Sequence, residues 1–285
     1  MRLASFLHDG EIKLGLLKAD GIVDIRSQIP GLPASIKEIL RQDKLSEIRK
    51  SLGDLEDSEA IRIEDVTFLP PISDAEKIIC IGRNYAAHAK EGGAETPSYP
   101  EIFLRTNRSI LGHDQPIIRP KCSDKLDYEG ELVVVIGKTA RHVTEKDALD
   151  YVAGYSIFNE ATLRDYQRKS TQWTIGKNFD KTGGFGPCLV TPEKLPPGAT
   201  GLSIKTFLNC NLMQDGNTGD LVFPIAKLIA LLSECMTLVP GDVIVTGTPS
   251  GVGYARNPPV WMKPGDICQV SIEGIGTLSN PIEDE

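Results

Sequence analysis

Two glutamates beside a predicted strand are the residues of this chain with the clearest chemical potential. Glu129 and Glu131 come immediately before a β-branched run, Leu132–Ile136, which is typical of a buried strand. Because side chains alternate between the faces of a strand, residues two apart point the same way. Two carboxylates in one low-dielectric cavity repel each other unless water, a shared proton or a divalent cation intervenes. The pair is therefore either a solvated strand end or part of a cation site.

A histidine and a glutamate three residues apart form a second pair. If residues 84–91 are helical, His88 and Glu91 lie on one face of the helix. A carboxylate beside an imidazole orients the ring and raises its basicity, as a general base requires. The alternative is an exposed helical contact of small energetic value. Gly92 and Gly93 follow as a flexible joint, so this helix is a plausible lid.

Several basic or polar side chains could complete such a site. Lys177 lies in an apolar, glycine-rich stretch, where lysine is rarely buried unless it is paired or functional. A desolvated lysine near a metal could transfer protons. Arg105 ends a short strand and could clamp a substrate carboxylate or form a structural ion pair. Arg164 and Gln167 lie three apart on a predicted helical turn, as substrate ligands or as a polar helix surface.

Short buried strands are predicted to position these side chains. They run over residues 77–82, 102–105, 152–160, 188–191, 202–208, 242–246, 267–272 and 276–278. The clearest amphipathic helix is Pro224–Met236, which we assign to core packing. Residues 183–187 are predicted to be an irregular loop. The glycines that follow strand 242–246 allow the backbone to approach a ligand closely.

The first 70 residues contain no catalytic constellation. A small hairpin is predicted over residues 11–25, and one or two short amphipathic helices over residues 35–51. Phe68–Ile72 is a stiff, extended connector. We therefore predict a small N-terminal α/β accessory domain over residues 1–70. A larger, strand-rich, mixed α+β catalytic domain is predicted over residues 71–285.

Composition limits the class of protein. The net charge of −8 is spread along the 285 residues without long basic runs, which argues against a nucleic-acid partner. There is no run of 18 apolar residues, so we expect no transmembrane helix and no membrane partner. Acidic residues occur too early for a secretory signal. The six cysteines are scattered, with no C-x-x-C pair, which favours reduced thiols in a cytoplasmic protein.

Five motifs in order resemble the fumarylacetoacetate hydrolase superfamily, in particular its smaller acylpyruvase and isomerase- or decarboxylase-like members. The motifs are Gly82–His88, Leu126–Leu132, Gly154–Gln167, Gly176–Lys177 and Thr246–Gly253. The resemblance covers residues 75–283. It implies a mixed, strand-rich β-roll for the catalytic domain, and usually a homodimer.

The resemblance also implies roles for individual residues. It implies that Mg²⁺ or Mn²⁺ is bound by Glu129, Glu131 and Glu160, where the family most often has aspartate in the third position. Carboxylate ligation with open water positions suits both ions. Arg105 stands where many small members have lysine. The implied catalytic residues are His88, Glu91 and Lys177, and the implied substrate-binding residues are Arg105, Arg164, Gln167, Gly247 and Thr248.

The reaction implied by the resemblance is hydrolysis of a C–C bond in a small 2,4-dioxo acid. His88 and Glu91 would activate a water that attacks the C4 carbonyl, and the C3–C4 bond would break to release a pyruvate enolate. The metal and Lys177 would stabilise the developing charge. The alternatives are decarboxylation of an oxaloacetate-like acid, isomerisation or hydration of a 2-oxo-alkenoate, and a non-catalytic binder. The presence of both His88 and Glu91 favours hydrolysis.

Overall fold

β-Strands dominate the fold, as predicted. A computed structural model of the chain describes residues 1–55 and 57–285. The strands are β1 (Arg2–His8), β2 (Glu11–Leu17), β3 (Ile22–Asp24), β4 (Thr67–Leu69), β5 (Ile78–Gly82), β6 (Glu101–Arg105), β7 (Ile110–Leu111), β8 (Ile117–Arg119), β9 (Leu126–Asp127), β10 (Gly130–Ile136), β11 (Val152–Glu160), β12 (Thr162–Leu163), β13 (Gly183–Val190), β14 (Ser203–Leu208), β15 (Asn211–Asn217), β16 (Val243–Val245), β17 (Ile267–Ile272) and β18 (Gly276–Asp284). The α-helices are α1 (Ile25–Gln28), α2 (Ile36–Arg41), α3 (Leu45–Lys50), α4 (Leu52–Asp57), α5 (Ala86–Glu91), α6 (Arg164–Gln167), α7 (Thr174–Lys177) and α8 (Ile225–Cys235).

An 11-stranded mixed sheet carries the glutamate strand at its centre. Its main path is β3-β2-β1-β13-β11-β10-β16-β5-β6, and a separate 5-stranded sheet has the order β15-β14-β17-β18-β8. Every residue of β10 is buried. Leu132 and Val134 pack into one core with α8 and the 5-stranded sheet. Val133 and Val135 pack into a second core with the N-terminal helices. The apolar run of β10 is thus explained by burial on both faces.

The predicted loop over residues 183–187 is wrong, because these residues form the first half of β13. Gly183 pairs with Glu160 and Gly184 with Asn159 of β11. A Cβ on Gly183 would lie 3.0 Å from the Arg105 guanidinium. A Cβ on Gly184 would collide with the side chain of Asn280. The glycines therefore reflect close packing in a central strand rather than a flexible connection.

The N-terminal residues are joined to the rest of the fold through the large sheet. Strand β1 pairs antiparallel with β13, and the predicted hairpin is present as β2 and β3. Helices α2 and α3 fall inside the predicted helical stretch. The division of the chain at residue 70 into an accessory and a catalytic domain stays a prediction.

The longest helix, α8, has 11 residues and lies inside the predicted amphipathic helix. Its residues Ile225, Leu228, Ile229 and Leu232 are buried, as the apolar stripe predicts. Within residues 1–55 and 57–285, no helix is long and apolar enough to cross a membrane.

Candidate active site

A polar cavity of about 290 Å³ lies where β5, β10, α5, α6 and α7 meet. Seven of the residues singled out from the sequence line it: His88, Glu129, Glu131, Arg164, Gln167, Lys177 and Thr248. Four others are joined to this group by hydrogen bonds. Glu91 contacts His88, Gly247 contacts Glu131, the backbone N–H of Glu160 donates to the Glu129 carbonyl, and Arg105 pairs with Glu160. The structure therefore brings the predicted residues together from six separate parts of the chain.

Glu129 is the centre of a buried ionic network. Its Oε1 accepts a hydrogen bond from Arg164 Nη2 at 2.7 Å. Its Oε2 accepts hydrogen bonds from Lys177 Nζ and, at 3.0 Å, from Thr162 Oγ1. Burial alone would raise the pKa of Glu129, but Arg164 and Lys177 hold that pKa well below its ordinary value. Glu129 is therefore ionised and paired, and the predicted buried lysine has a carboxylate partner.

Asp127 is a second partner of Arg164 that the sequence analysis missed. Arg164 Nε donates to Asp127 Oδ2 at 2.7 Å, and the aspartate is fully buried. The backbone N–H groups of Gly253 and Tyr254 also donate to this carboxylate, at 2.7 Å and 3.1 Å. Burial raises the pKa of Asp127 despite these contacts. The sequence signal that could have identified Asp127 is its spacing, because Asp127 lies two residues before Glu129 just as Glu129 lies two residues before Glu131.

Glu131 contrasts with Glu129 although both line the same cavity. Its Oε2 accepts the backbone N–H of Gly247 at 2.5 Å. Burial and the neighbouring carboxylates Glu160 and Glu129 raise the pKa of Glu131 well above its ordinary value. Gly247 has φ +103°, and a Cβ there would lie 2.7 Å from Asn84 Cβ, so the close approach to Glu131 requires glycine.

Glu160 and Arg105 form a fully buried ion pair. Arg105 Nη1 donates to Glu160 Oε1 at 2.8 Å, and both side chains have 0% exposure. The remaining Arg105 donors contact Ser109 at 3.1 Å and Thr182 at 2.7 Å. Of the two roles considered for Arg105, the structure shows the ion pair. Its role in binding substrate stays a prediction. Glu160 Oε2 is buried and has no hydrogen-bond partner among the described residues.

The three glutamates offer the type of donor that a hard divalent cation prefers, but their side chains are not gathered around one point in this structure. Glu131 and the unpartnered Glu160 oxygen place excess carboxylate in a buried region, and oxygen donors are those that Mg²⁺ and Mn²⁺ prefer. No three His, Cys, Asp or Glu side chains within the described ranges are grouped closely enough for a metal ion. Both Glu129 oxygens and one Glu160 oxygen instead contact cationic side chains. The metal-ligand set stays a prediction.

His88 and Glu91 form the predicted dyad on α5. His88 Nδ1 lies 2.8 Å from Glu91 Oε1, and the two side chains are only 10% and 20% exposed. The backbone N–H of Gly251 donates to Glu91 Oε2 at 2.8 Å. This second contact joins α5 to the glycine-rich segment after β16. A largely buried, doubly held dyad differs from the exposed helical contact considered above, and it is suited to proton transfer.

The remaining predicted ligands are held by protein contacts. Gln167 Oε1 accepts from Arg164 Nη1 at 3.0 Å. Thr248 Oγ1 donates to the Gly130 carbonyl at 2.9 Å and accepts from Gln214 Nε2 at 2.8 Å. Both residues line the cavity. Their roles in substrate binding stay predictions.

The cavity residues that were not identified from the sequence include Arg83, Arg168, Trp173 and Tyr254. Arg83 stacks on Trp173, with its guanidinium carbon 5.3 Å from the ring centroid. Arg168 is the last residue of the predicted helical turn that contains Arg164 and Gln167, and this proximity was the available signal. Tyr254 directly follows the Thr246–Gly253 motif, but nothing in its spacing indicates that its ring reaches α6.

This fold and this carboxylate-lined cavity agree with the comparison to known protein families. Residues 77–283 match the model described as fumarylacetoacetate (FAA) hydrolase C-terminal. The chain belongs to the fumarylacetoacetate hydrolase family, and it is 39% identical over 275 residues to the mitochondrial oxaloacetate tautomerase fahd2 of Xenopus laevis. That alignment covers 95% of this chain and 86% of the relative. The resemblance predicted from the five motifs is confirmed.

Solved structures with the same fold include hydrolases and isomerases. A maleylpyruvate hydrolase from Sphingobium sp. SYK-6, in complex with manganese (II) ion and pyruvate, has a TM-score of 0.82 and 31% identity, covering 100% of this chain and 99% of that chain. A 5-carboxymethyl-2-hydroxymuconate delta-isomerase from Mycobacterium smegmatis has a TM-score of 0.78 and 33% identity, with the same coverage. The strand-rich mixed fold is thereby confirmed. The family comprises enzymes, but its members differ in the reaction they catalyse.

Proposed function

We propose that this chain catalyses the enol–keto tautomerisation of a small 2-oxo dicarboxylic acid of the oxaloacetate type. The observation that carries the proposal is the His88–Glu91 dyad at a small cavity lined by Glu129, Glu131 and Lys177. Tautomerisation needs a group that moves a proton at carbon and a positive charge near the oxygen. The similarity to an oxaloacetate tautomerase over 95% of this chain supports this choice of reaction.

The dyad has a direct role in this reaction. The contact with Glu91 Oε1 holds His88 Nδ1 as the protonated nitrogen, so Nε2 is the basic atom. In the keto-to-enol direction, His88 Nε2 takes a proton from C3 of the acid, and the C2 oxygen gains a proton. Lys177 Nζ donates the proton to that oxygen. Exchange with solvent water then removes the proton from His88 and returns one to Lys177, which restores the enzyme, and the reverse steps give the keto form. No bond between carbon atoms breaks, and no water is consumed.

A divalent cation would be held by Glu129, Glu131 and Glu160, and it would supply positive charge that stabilises an enolate. We propose Mg²⁺ or Mn²⁺ because the donors are carboxylate oxygens. The manganese in the structure of the maleylpyruvate hydrolase supports this assignment. The homodimer and the cytoplasmic location indicated above also stay predictions.

Hydrolysis of an acylpyruvate-type 2,4-dioxo acid is the second candidate. It is favoured by the same dyad, which could activate water, and by the maleylpyruvate hydrolase with 31% identity. Decarboxylation of an oxaloacetate-like acid would use the same enolate, but its first step breaks a C–C bond. The higher identity to the tautomerase supports tautomerisation as the first candidate.

Turnover measurements distinguish these reactions. Purified protein with Mg²⁺ or Mn²⁺ is mixed with enol-oxaloacetate, and the ultraviolet absorbance of the enol and the release of pyruvate are followed together. We expect the protein to accelerate the loss of the enol absorbance without increasing the release of pyruvate. Acetylpyruvate and maleylpyruvate serve as hydrolase substrates in parallel. Rapid pyruvate release from either, with no effect on enol-oxaloacetate, would reject tautomerisation in favour of hydrolysis.

Replacing His88 by alanine should lower kcat for tautomerisation by about 100-fold or more, because general acid–base catalysis is worth roughly that factor. Glu91→Gln should give a smaller loss, since the ring keeps its place but loses its anionic partner. Steady-state kinetics with enol-oxaloacetate measures both effects. Lys90→Gln, at an exposed position on the same helix, is the matched control and should retain activity. Full activity in His88→Ala would remove the dyad from the mechanism.

A further inference from the structure

The cationic side chains around the cavity differ in whether they already have a carboxylate partner. Arg83 pairs with Glu101 at 3.0 Å. Arg164 pairs with Asp127 and Glu129, and Lys177 pairs with Glu129. The charge of each of these cations is already balanced by a protein carboxylate, which lowers its attraction for a further carboxylate from a ligand, while N–H donors that face no protein oxygen stay available to a neutral substrate oxygen.

Arg168 also lines the cavity, but it differs from these three cations. Among the described residues, none of its N–H donors contacts a carboxylate. Its guanidinium carbon lies 4.6 Å from the centroid of the Tyr254 ring. The Arg164 guanidinium carbon lies 4.4 Å from the same centroid. Stacking on an aromatic ring orients a guanidinium while leaving its in-plane N–H donors available to a ligand.

Tyr254 is itself held in place by neighbouring elements. Its backbone N–H donates to Asp127. Its hydroxyl lies so close to Gly92, at the end of α5, that a Cβ on Gly92 would be 2.6 Å away. The Tyr254 ring therefore contacts both the end of α5, the helix that carries His88 and Glu91, and the guanidinium groups of Arg164 and Arg168. Arg168 is exposed, and its contact with the Tyr254 ring orients its guanidinium.

We propose that Arg168, stacked on Tyr254, binds the second carboxylate of the substrate and makes the site selective for 2-oxo dicarboxylic over 2-oxo monocarboxylic acids. The inference rests on the proposed function, since it concerns the far end of the same substrate. The planar guanidinium matches a carboxylate bidentately, which gives both affinity and geometric selection. Arg168 is then a specificity-determining residue of the cavity, whereas Arg164 maintains the buried network.

A pair of stable ligands tests the assignment independently of turnover. Malate and lactate are both 2-hydroxy acids, and malate carries the additional carboxylate. Their binding to the Mn²⁺-loaded protein is measured by calorimetry for the wild type, Arg168→Gln, Arg168→Lys and Lys169→Gln. Lys169 is the matched control, because it is the adjacent exposed cation and its ammonium lies over Tyr166 instead of Tyr254.

We expect the wild type to prefer malate over lactate and Arg168→Gln to weaken malate binding by about 10- to 100-fold, as loss of a charged hydrogen bond predicts. Lactate binding should not change. Arg168→Lys should retain part of the preference, and Lys169→Gln should retain all of it. Equal weakening of both ligands in Arg168→Gln, or no preference in the wild type, would overturn the inference.

Oxaloacetate kinetics on the same preparations separates this inference from the proposed function. Arg168→Gln should raise KM for oxaloacetate with little change in kcat, because the residue binds a part of the substrate that does not react. Normal wild-type tautomerisation with an unchanged KM in the variant would reject the role of Arg168 alone. Loss of the malate preference in the variant, in a protein that does not tautomerise oxaloacetate, would reject the proposed reaction alone.

Discussion

Replacing Glu129 by glutamine should destabilise the folded protein by about 3 kcal/mol or more and abolish activity, because it leaves buried cations without their shared anion. Arg164 and Lys177 both contact this carboxylate, and all three side chains are only 4% exposed. Arg164 would keep Asp127, but Lys177 would lose its carboxylate partner. Urea unfolding with a chelator present measures the change in the free energy of unfolding.

The control for Glu129→Gln is Glu38→Gln. Glu38 pairs with Arg41 at 2.8 Å, close to the 2.7 Å of the Arg164–Glu129 pair, but its side chain is 38% exposed. Exposed ion pairs add little to stability, so this variant should unfold like the wild type. If Glu129→Gln is as stable as Glu38→Gln, Glu129 does not hold the network together.

Replacing Glu131 by glutamine should have the opposite effect on stability while also strongly lowering activity. Burial and two neighbouring carboxylates disfavour the ionised form of Glu131. A neutral amide removes that repulsion, so the free energy of unfolding measured with a chelator should rise. Catalysis should fall by about 1,000-fold, since a proposed ligand of the catalytic cation is lost. Lower stability in this variant would contradict the charge assignment.

The pH dependence of stability tests the same assignment. The pKa of Glu131 is raised above 4.5 in the folded protein, so the folded state keeps a proton that the unfolded state releases. The stabilisation associated with that proton is present below pH 4.5 and is lost as the pH rises toward the folded pKa. In Glu131→Gln this loss of stability with rising pH does not occur, because the glutamine side chain does not titrate. Its stability relative to the wild type should therefore increase with pH, and a constant difference would contradict the raised pKa.

The sequence predicted the parts of the site that depend on local spacing. Glu129 and Glu131 were identified because strand periodicity places them together, and His88 and Glu91 because helix periodicity does the same. Lys177 was identified because a lysine in an apolar stretch needs a partner. The partner itself, Glu129, lies 48 residues away and could not be read from local pattern.

The features that the sequence did not reveal depend on contacts between distant segments. Gly183 and Gly184 resembled a loop because the side chains that fill the space above them, Arg105 and Asn280, come from remote strands. The contact between the Tyr254 ring and Arg164 likewise depends on α6, which lies about 90 residues earlier in the chain. Such contacts between distant segments leave no periodic pattern in the local sequence. The sequence therefore predicted a loop wrongly at the two glycines and gave no signal for Tyr254.

Calorimetric titration of the chelator-treated protein with Mn²⁺ tests the central claim most directly, namely that this cavity is a carboxylate site for a catalytic divalent cation. The wild type should bind one ion per chain, and enol-oxaloacetate ketonisation should recover as the site fills. Glu131→Gln and Glu160→Gln should lose most of that affinity, while Glu38→Gln should match the wild type. Absence of binding to the wild type, or unchanged affinity in both cavity variants, would contradict the claim.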